Sequence, residues 1–147
     1  MKPLGNHVHY NGTIISSGNW NTNLGRWAFG LSQDNSKVDV FSYNYNRYIN
    51  CPVPVGEWTH LVSTQKNKIC KLYKNGEYIG SYTAEYDCLY SNASNTTIGR
   101  ETYANGYFSF NGCLNDLRIY DHELSLKEIE ELSKGLLIHY KFDSQYE

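Results

Sequence analysis

Over roughly the first 120 residues, apolar and polar positions alternate in short segments rich in Val, Ile, Tyr, Phe and Trp, separated by clusters of Asn, Gly, Ser and Asp. A period of two over such short runs is the pattern of half-buried strands. It predicts strands at Thr13–Ser16, Trp27–Ser32, Val38–Tyr43, Trp58–Thr64, Ile69–Lys74, Tyr78–Thr83, Asn95–Ile98, Tyr107–Phe110 and Cys113–Tyr120. The sharpest turn signal is Asn75-Gly76, whose residue types suit the two positive-φ positions of a type I′ turn and so predict a two-residue hairpin. In that register Lys74 faces Glu77, Tyr73 faces Tyr78, Leu72 faces Ile79 and Ile69 faces Tyr82. Leu72 and Ile79 then read as core, and Tyr73, Tyr78 and Tyr82 as an aromatic row on the other face.

The pattern changes near the end. Ser125 and Glu128 have capping-box spacing, Leu124 and Ile129 are placed as the hydrophobic staple, and Gly135 stands where a helix would close. Leu126, Ile129 and Leu132 form one apolar stripe, so a single short helix lies against the sheets. Beyond it, the alternation of Leu137-Ile138-His139-Tyr140-Lys141-Phe142 reads as one more strand.

Composition bounds the function. The 147 residues are 40% hydrophobic and include 14 Tyr, 3 Trp and 5 Phe, enough burial potential for one folded domain. A net charge of −2 supplies no electrostatic basis for binding nucleic acid or an anionic membrane, and neither partner is expected. No apolar run is long enough to span a bilayer, and Met1–His7 carries no apolar core of a cleaved signal peptide. Cys51, Cys70, Cys88 and Cys113 include no CxxC pair and are expected as free thiols rather than a two-disulfide framework.

Three segments carry a resemblance. Gly56-Glu57-Trp58-Thr59-His60-Leu61-Val62 precedes the Leu72–Gly76 hairpin; Thr97-Ile98-Gly99-Arg100 precedes Phe110-Asn111-Gly112-Cys113-Leu114-Asn115-Asp116-Leu117-Arg118-Ile119-Tyr120; and Asp121–Ile129 closes the series. In order and spacing they resemble the laminin-G-like, or concanavalin A-like, jelly-roll domains of bacterial and phage surface proteins. The resemblance implies an all-β antiparallel sandwich over residues 1–135 with one short C-terminal helix. It departs from the family at both ends: the family's opening strand is missing from the N-terminus, while a similar strand follows the helix. Residues 136–147 therefore either complete the sheet or open a following domain.

The chemistry favours binding. Enzymes on this sandwich carry Glu-x-Asp-x-Glu, whereas Glu85-Tyr86-Asp87-Cys88-Leu89 lacks the third carboxylate, so no catalysis is expected. His7-Val8-His9 reads as a flexible terminus, His60 as a satisfied core histidine, and Asp34-Asn35-Ser36 as hairpin chemistry, with calcium there as the metal alternative to no cofactor at all. Asn115 and Asp116 interrupt an alternation and predict a bulge whose side chains bond nearby backbone. Trp27 and Trp58 fit apolar faces and read as core. Tyr43-Asn44-Tyr45-Asn46-Arg47-Tyr48 and Tyr103–Tyr107 instead place rings beside amide and guanidinium donors, and Trp20 sits between Asn19 and Asn21. A ring packs on the C–H face of a pyranose while the donors satisfy its hydroxyls. Trp20, Tyr43, Tyr45, Arg47, Tyr48, Tyr103 and Tyr107 are thus the candidate ligand-binding residues. The expected role is a noncatalytic carbohydrate-binding or adhesion module of a bacterial surface or phage tail protein, taking glycan or cell-surface polysaccharide as partner outside the cell or on a virion. The alternative is a structural assembly module that self-associates through sheet edges.

Overall fold

In the computed structural model the described residues are 1–7, 12–18, 27–42, 48–84, 95–101 and 108–135. They form β1 (Lys2–Pro3), β2 (Gly12–Ser17), β3 (Trp27–Leu31), β4 (Lys37–Ser42), β5 (Tyr48–Asn50), β6 (Leu61–Lys66), β7 (Ile69–Lys74), β8 (Glu77–Thr83), β9 (Thr96–Ile98), β10 (Gly112–Cys113) and α1 (Leu126–Ser133). One sheet runs β5-β4-β3-β2-β9, a second runs β6-β7-β8, and β1 pairs with β10. Each of these ladders is antiparallel. The two larger sheets make the expected sandwich. Leu31, Val38, Val40 and Ile49 from one meet Cys70 and Leu72 from the other, with Cys51, Val53 and Ala84 filling the margin. Gly80 of β8 lets the sheets approach, because a Cβ there would lie 3.1 Å from Ile49 Cγ2. The Tyr82 hydroxyl donates to the Val40 carbonyl and ties β8 to β4.

The hairpin forms as the turn residues dictate, with φ of 51° at Asn75 and 88° at Gly76. Its first pairs, Lys74 with Glu77 and Tyr73 with Tyr78, are the predicted ones, but the register then shifts and Leu72 meets Gly80. Ile79 is the extra residue of a bulge. The expected Leu72–Ile79 and Ile69–Tyr82 pairs are therefore corrected: Ile79 is exposed, Cys70 opposes Tyr82, and Tyr82 turns toward the core instead of joining Tyr73 and Tyr78. The packing of Gly80 against Ile49 gives the physical reason, since it fixes which face of β8 meets the other sheet.

The helix begins and ends where its capping residues stand. The Ser125 side chain accepts from the Glu128 backbone N–H, the Glu128 carboxylate accepts from the Ser125 N–H at 2.7 Å, and Gly135 takes φ of 70°. Eight residues are too few to hold a helix alone. Ile129, fully buried, packs with Leu124 on Tyr73, and Val62, Tyr120 and Leu132 surround them. Leu126 departs from the predicted stripe and is 52% exposed.

Three further expectations are corrected. The strand expected at Trp58–Thr64 begins only at Leu61, which leaves Trp58 54% exposed rather than in the core. The strand expected at Cys113–Tyr120 is confined to Gly112–Cys113, and Ser109 contributes an isolated bridge to Thr13. The N-terminus expected to be flexible is instead bound in place: β1 pairs with β10, the Met1 ammonium donates to the Thr59 carbonyl at 2.9 Å, and His7 is buried. Strands β1 and β5 carried no periodic signal because two or three residues are too short to show one.

Candidate functional site

Among the candidate ligand-binding residues, Tyr48 lies within the described residues; Trp20, Tyr43, Tyr45, Arg47, Tyr103 and Tyr107 lie outside them. Tyr48 opens β5 at the margin of the five-stranded sheet, where its partner in register is Asp39; Val38 with Ile49 is the next pair and Lys37 with Asn50 the one after it. The residue is 36% exposed, and Lys37 Nζ lies 5.7 Å from its ring centroid. A cation and an aromatic face thus stand together at one sheet edge. The chain enters this edge directly from the Tyr43–Arg47 segment.

A second aromatic margin was not anticipated. Gly56 N–H donates to the Pro3 carbonyl at 2.7 Å and Thr59 N–H to the Met1 carbonyl at 2.8 Å, so the loop before β6 is fastened to the N-terminal segment. Trp58 projects from that loop with Lys2 Nζ 5.5 Å from its ring centroid, and Leu4 and Val55 are also exposed. The signal that could have found it is the Gly-Glu pair just before Trp58, which marks a turn rather than a strand start.

Between the sheets runs a cleft of about 600 Å³. Its floor includes Ile15, Ala28, Phe29 and Val40; β6 forms one wall and Leu114–Leu124 the other. Trp27, expected as core, is half-buried in this floor, with its Nε1 buried and unpartnered among the described residues. His60 stands on the wall, partly buried rather than in the core; burial lowers its pKa, the Met1 ammonium adds to this, and Asp116 opposes it. Asp116 adopts φ of 54°, and its carboxylate takes a bidentate pair from Arg118 at 2.8 and 2.9 Å, in place of the backbone bonds expected. At the far end Glu123 accepts from Lys71 Nζ at 2.8 Å and lies 3.9 Å from Lys66 Nζ. That hydrogen bond from Lys71 holds the Glu123 carboxyl below its ordinary pKa.

The buried His7 belongs to the scaffold. Its Nδ1 accepts from Asn111 N–H at 3.1 Å, its ring lies 5.6 Å from that of Phe110, and burial lowers its pKa, opposed by Asn35. Asn35 in turn donates to the Gly5 carbonyl at 3.1 Å. In the neighbouring turn Asp34 Oδ1 accepts from the Ser32 and Ser36 hydroxyls, each at 2.7 Å, and from Ser36 N–H at 3.0 Å; the Ser32 bond leads in holding its pKa well below the carboxylate range. Asp34 Oδ1 is thus engaged by its own loop.

Two antiparallel sheets face to face, a short capped helix and aromatic margins on the sheet edges define a lectin-type jelly-roll sandwich. The chain belongs to the concanavalin A-like lectin/glucanases superfamily, whose family profile matches residues 2–130. Among solved structures it is similar to the CBM40 of Ruminococcus gnavus IT-sialidase bound to α2,3-sialyllactose (TM-score 0.67, 19% identity, 90% of this chain and 78% of that one). It is also similar to the heptameric SAP-like pentraxin of Limulus polyphemus (TM-score 0.65, 20% identity, 90% of this chain). A third similar structure is an S-layer domain-containing protein of Clostridium thermocellum (TM-score 0.49, 22% identity, 90% of this chain). The chain spans 65% of the length of the pentraxin and of the S-layer fragment. Comparison with curated proteins finds no match.

Proposed function

We propose that this domain is a noncatalytic carbohydrate-binding module whose ligand lies along the β5 margin, at Tyr48 and the Tyr43–Arg47 segment leading into it. The observation that carries the reading is the exposed Tyr48 ring with the Lys37 ammonium beside it. A ring face accepts the C–H side of a sugar, and a neighbouring cation adds a directed donor for hydroxyl or carboxylate. The likeness to a sialyllactose-bound carbohydrate-binding module supports the same ligand class. Catalysis by a carboxylate pair is disfavoured because Asp116 and Glu123 lie at opposite ends of the cleft and each is paired with a cation. The module acts without a cofactor, outside the cell on a bacterial surface or virion, and weak single contacts gain strength by repetition.

The test is a glycan array with the protein displayed multivalently, run beside Tyr48→Ala and a Tyr43→Ala/Tyr45→Ala variant, with Trp58→Ala as a second arm. Selective binding to one glycan class, lost in the first two variants and kept in the third, is the expected result. Loss only with Trp58→Ala would move the site to the other aromatic margin, and no binding by the folded protein to any glycan would reject the reading. The assembly reading has its own observation, the outer position of β6 in its three-stranded sheet among the described residues.

A further inference from the structure

His7 stands where three separate stretches of the chain meet. Its N–H donates to the Gln33 carbonyl at 3.0 Å, and its Nδ1 accepts from Asn111 N–H at 3.1 Å. Beside it Leu4 N–H donates to the Asn111 carbonyl at 3.0 Å and Asn35 Nδ2 to the Gly5 carbonyl at 3.1 Å. Residues 4–7 are thus laced to the turn before β4 on one side and to the segment before β10 on the other. These attachments reach further. The Asn35 carbonyl accepts from Val53 N–H at 2.9 Å and so holds the chain leaving β5, while Pro3 and Met1 hold the Trp58 loop. Both aromatic margins hang from the segment that His7 pins.

The pin works in one protonation state. A backbone N–H aimed at Nδ1 requires a lone pair there, so the ring is neutral and carries its single proton on Nε2, which is buried. A second proton would go to Nδ1, where N–H would face N–H. The groups against the ring are Phe110, Asn35, Asn111 and Gly12, and none of them titrates. The charges on the packed elements, among the described residues, are turned elsewhere. Asp34, beside Asn35, accepts from Ser32 and Ser36; the Met1 ammonium donates to Thr59; and Lys2 Nζ lies by the Trp58 ring. Burial therefore outweighs the pull of Asn35 and holds the His7 pKa below the ordinary 6.5. The pinned segment is also lightly held, since β1 has two residues and Leu4 is exposed. The cluster that closes the sheets draws Leu31, Val38, Cys70 and Leu72 from β3, β4 and β7 instead.

We propose that His7 is an acid-sensitive latch: a proton taken up at Nδ1 turns the Asn111 bond into a repulsion, the ring leaves its pocket, and residues 1–7 open with the Trp58 loop while the two sheets stay closed. The device is independent of any glycan site at Tyr48. The test is backbone amide exchange on the full chain, followed residue by residue from about pH 7.5 to about pH 5 and corrected for the intrinsic rate. It is run on the wild type, His7→Gln and His60→Gln. Glutamine keeps an acceptor for Asn111 without a titrating proton, and His60→Gln removes the other histidine whose pKa burial lowers. Protection of the Leu4, Thr59 and Asn111 amides should fall in the wild type, approaching about tenfold per pH unit below the ordinary histidine value, while the β7 amides hold theirs. The fall should persist in His60→Gln and vanish in His7→Gln. Because His7→Gln could fail to fold, nitrogen NMR of the wild-type ring supplies a second reading: Nδ1 should be without a proton at neutral pH. A flat protection profile, an equal fall in folded His7→Gln, a fall shared by the β7 amides, or a neutral ring with its proton on Nδ1 would each overturn the proposal.

Discussion

The contact between Gly12 and His7 can be broken with one methyl group. An ideal Cβ on Gly12 would stand 2.1 Å from His7 Cε1, 2.2 Å from Nε2 and 2.4 Å from Nδ1, inside the ring's van der Waals envelope. The ring has little room to retreat, because Phe110 lies behind it and Asn111 N–H is bonded to its Nδ1. Overpacking of this kind costs about 1–3 kcal/mol. Expelling the ring instead leaves the Asn111 donor unsatisfied, which costs about 1–3 kcal/mol. Gly12→Ala should therefore destabilise by about 1–3 kcal/mol by either route, which at about 2–4 °C per kcal/mol is a Tm loss of about 2–12 °C. Thermal and urea unfolding of Gly12→Ala, His7→Ala and the double variant form a cycle. Because His7→Ala removes the clashing ring, the coupling should offset at least about 1 kcal/mol of the summed single losses. A Gly12→Ala protein within about 0.5 kcal/mol of wild type, or strictly additive losses, would refute the reasoning.

Other consequences follow from the same packing. Ile129→Ala should lose about 2–5 kcal/mol by opening a cavity under α1, read from the urea midpoint; a loss below about 1 kcal/mol would mean that the helix rests on the sheet without depending on it. Deleting Ile79 removes only the bulged residue and keeps every ladder pair, so a folded protein with a small Tm change is expected, whereas deleting Ser81 turns Tyr82 outward and should abolish folding; equal outcomes would reject the register. Burial lowers the pKa of both His7 and His60 from the ordinary 6.5, so the unfolded chain takes up protons before the folded one. Stability should then be full above pH 6.5 and fall as pH drops from there through the lowered folded values, with a slope that flattens in a His7→Gln/His60→Gln variant.

What could be read in the sequence was local. Asn75-Gly76 encodes its turn in two residues, and Ser125, Glu128 and Gly135 encode both ends of the helix within ten, so no distant partner is needed. The bulge at Ile79 depends on Gly80 meeting Ile49 of the other sheet, a contact 31 positions away, and alternation alone continues straight through it. His7 looked like a loose terminus because its partner Asn111 is 104 residues distant. Trp58 looked buried because its neighbours alternate, yet the loop's bonds to Met1 and Pro3 delay the strand until Leu61. Tyr48 was legible as a candidate because an aromatic beside Asn and Arg in a polar segment is a composition signal. Its companion Lys37 was not, because only strand pairing brings the two together.

The core cysteines give the sandwich an internal clock. Cys51 and Cys70 each expose 2% of their surface within one cluster joining the two sheets, and burial raises the Cys51 thiol pKa, so neither presents a reactive thiolate to a reagent in solution. Cys113 is free and exposed, so a reagent reaches it without any opening of the sheets. The delay before Cys51 and Cys70 are alkylated then measures how often the layers part, and a ligand or a second copy that binds the closed sandwich lengthens it.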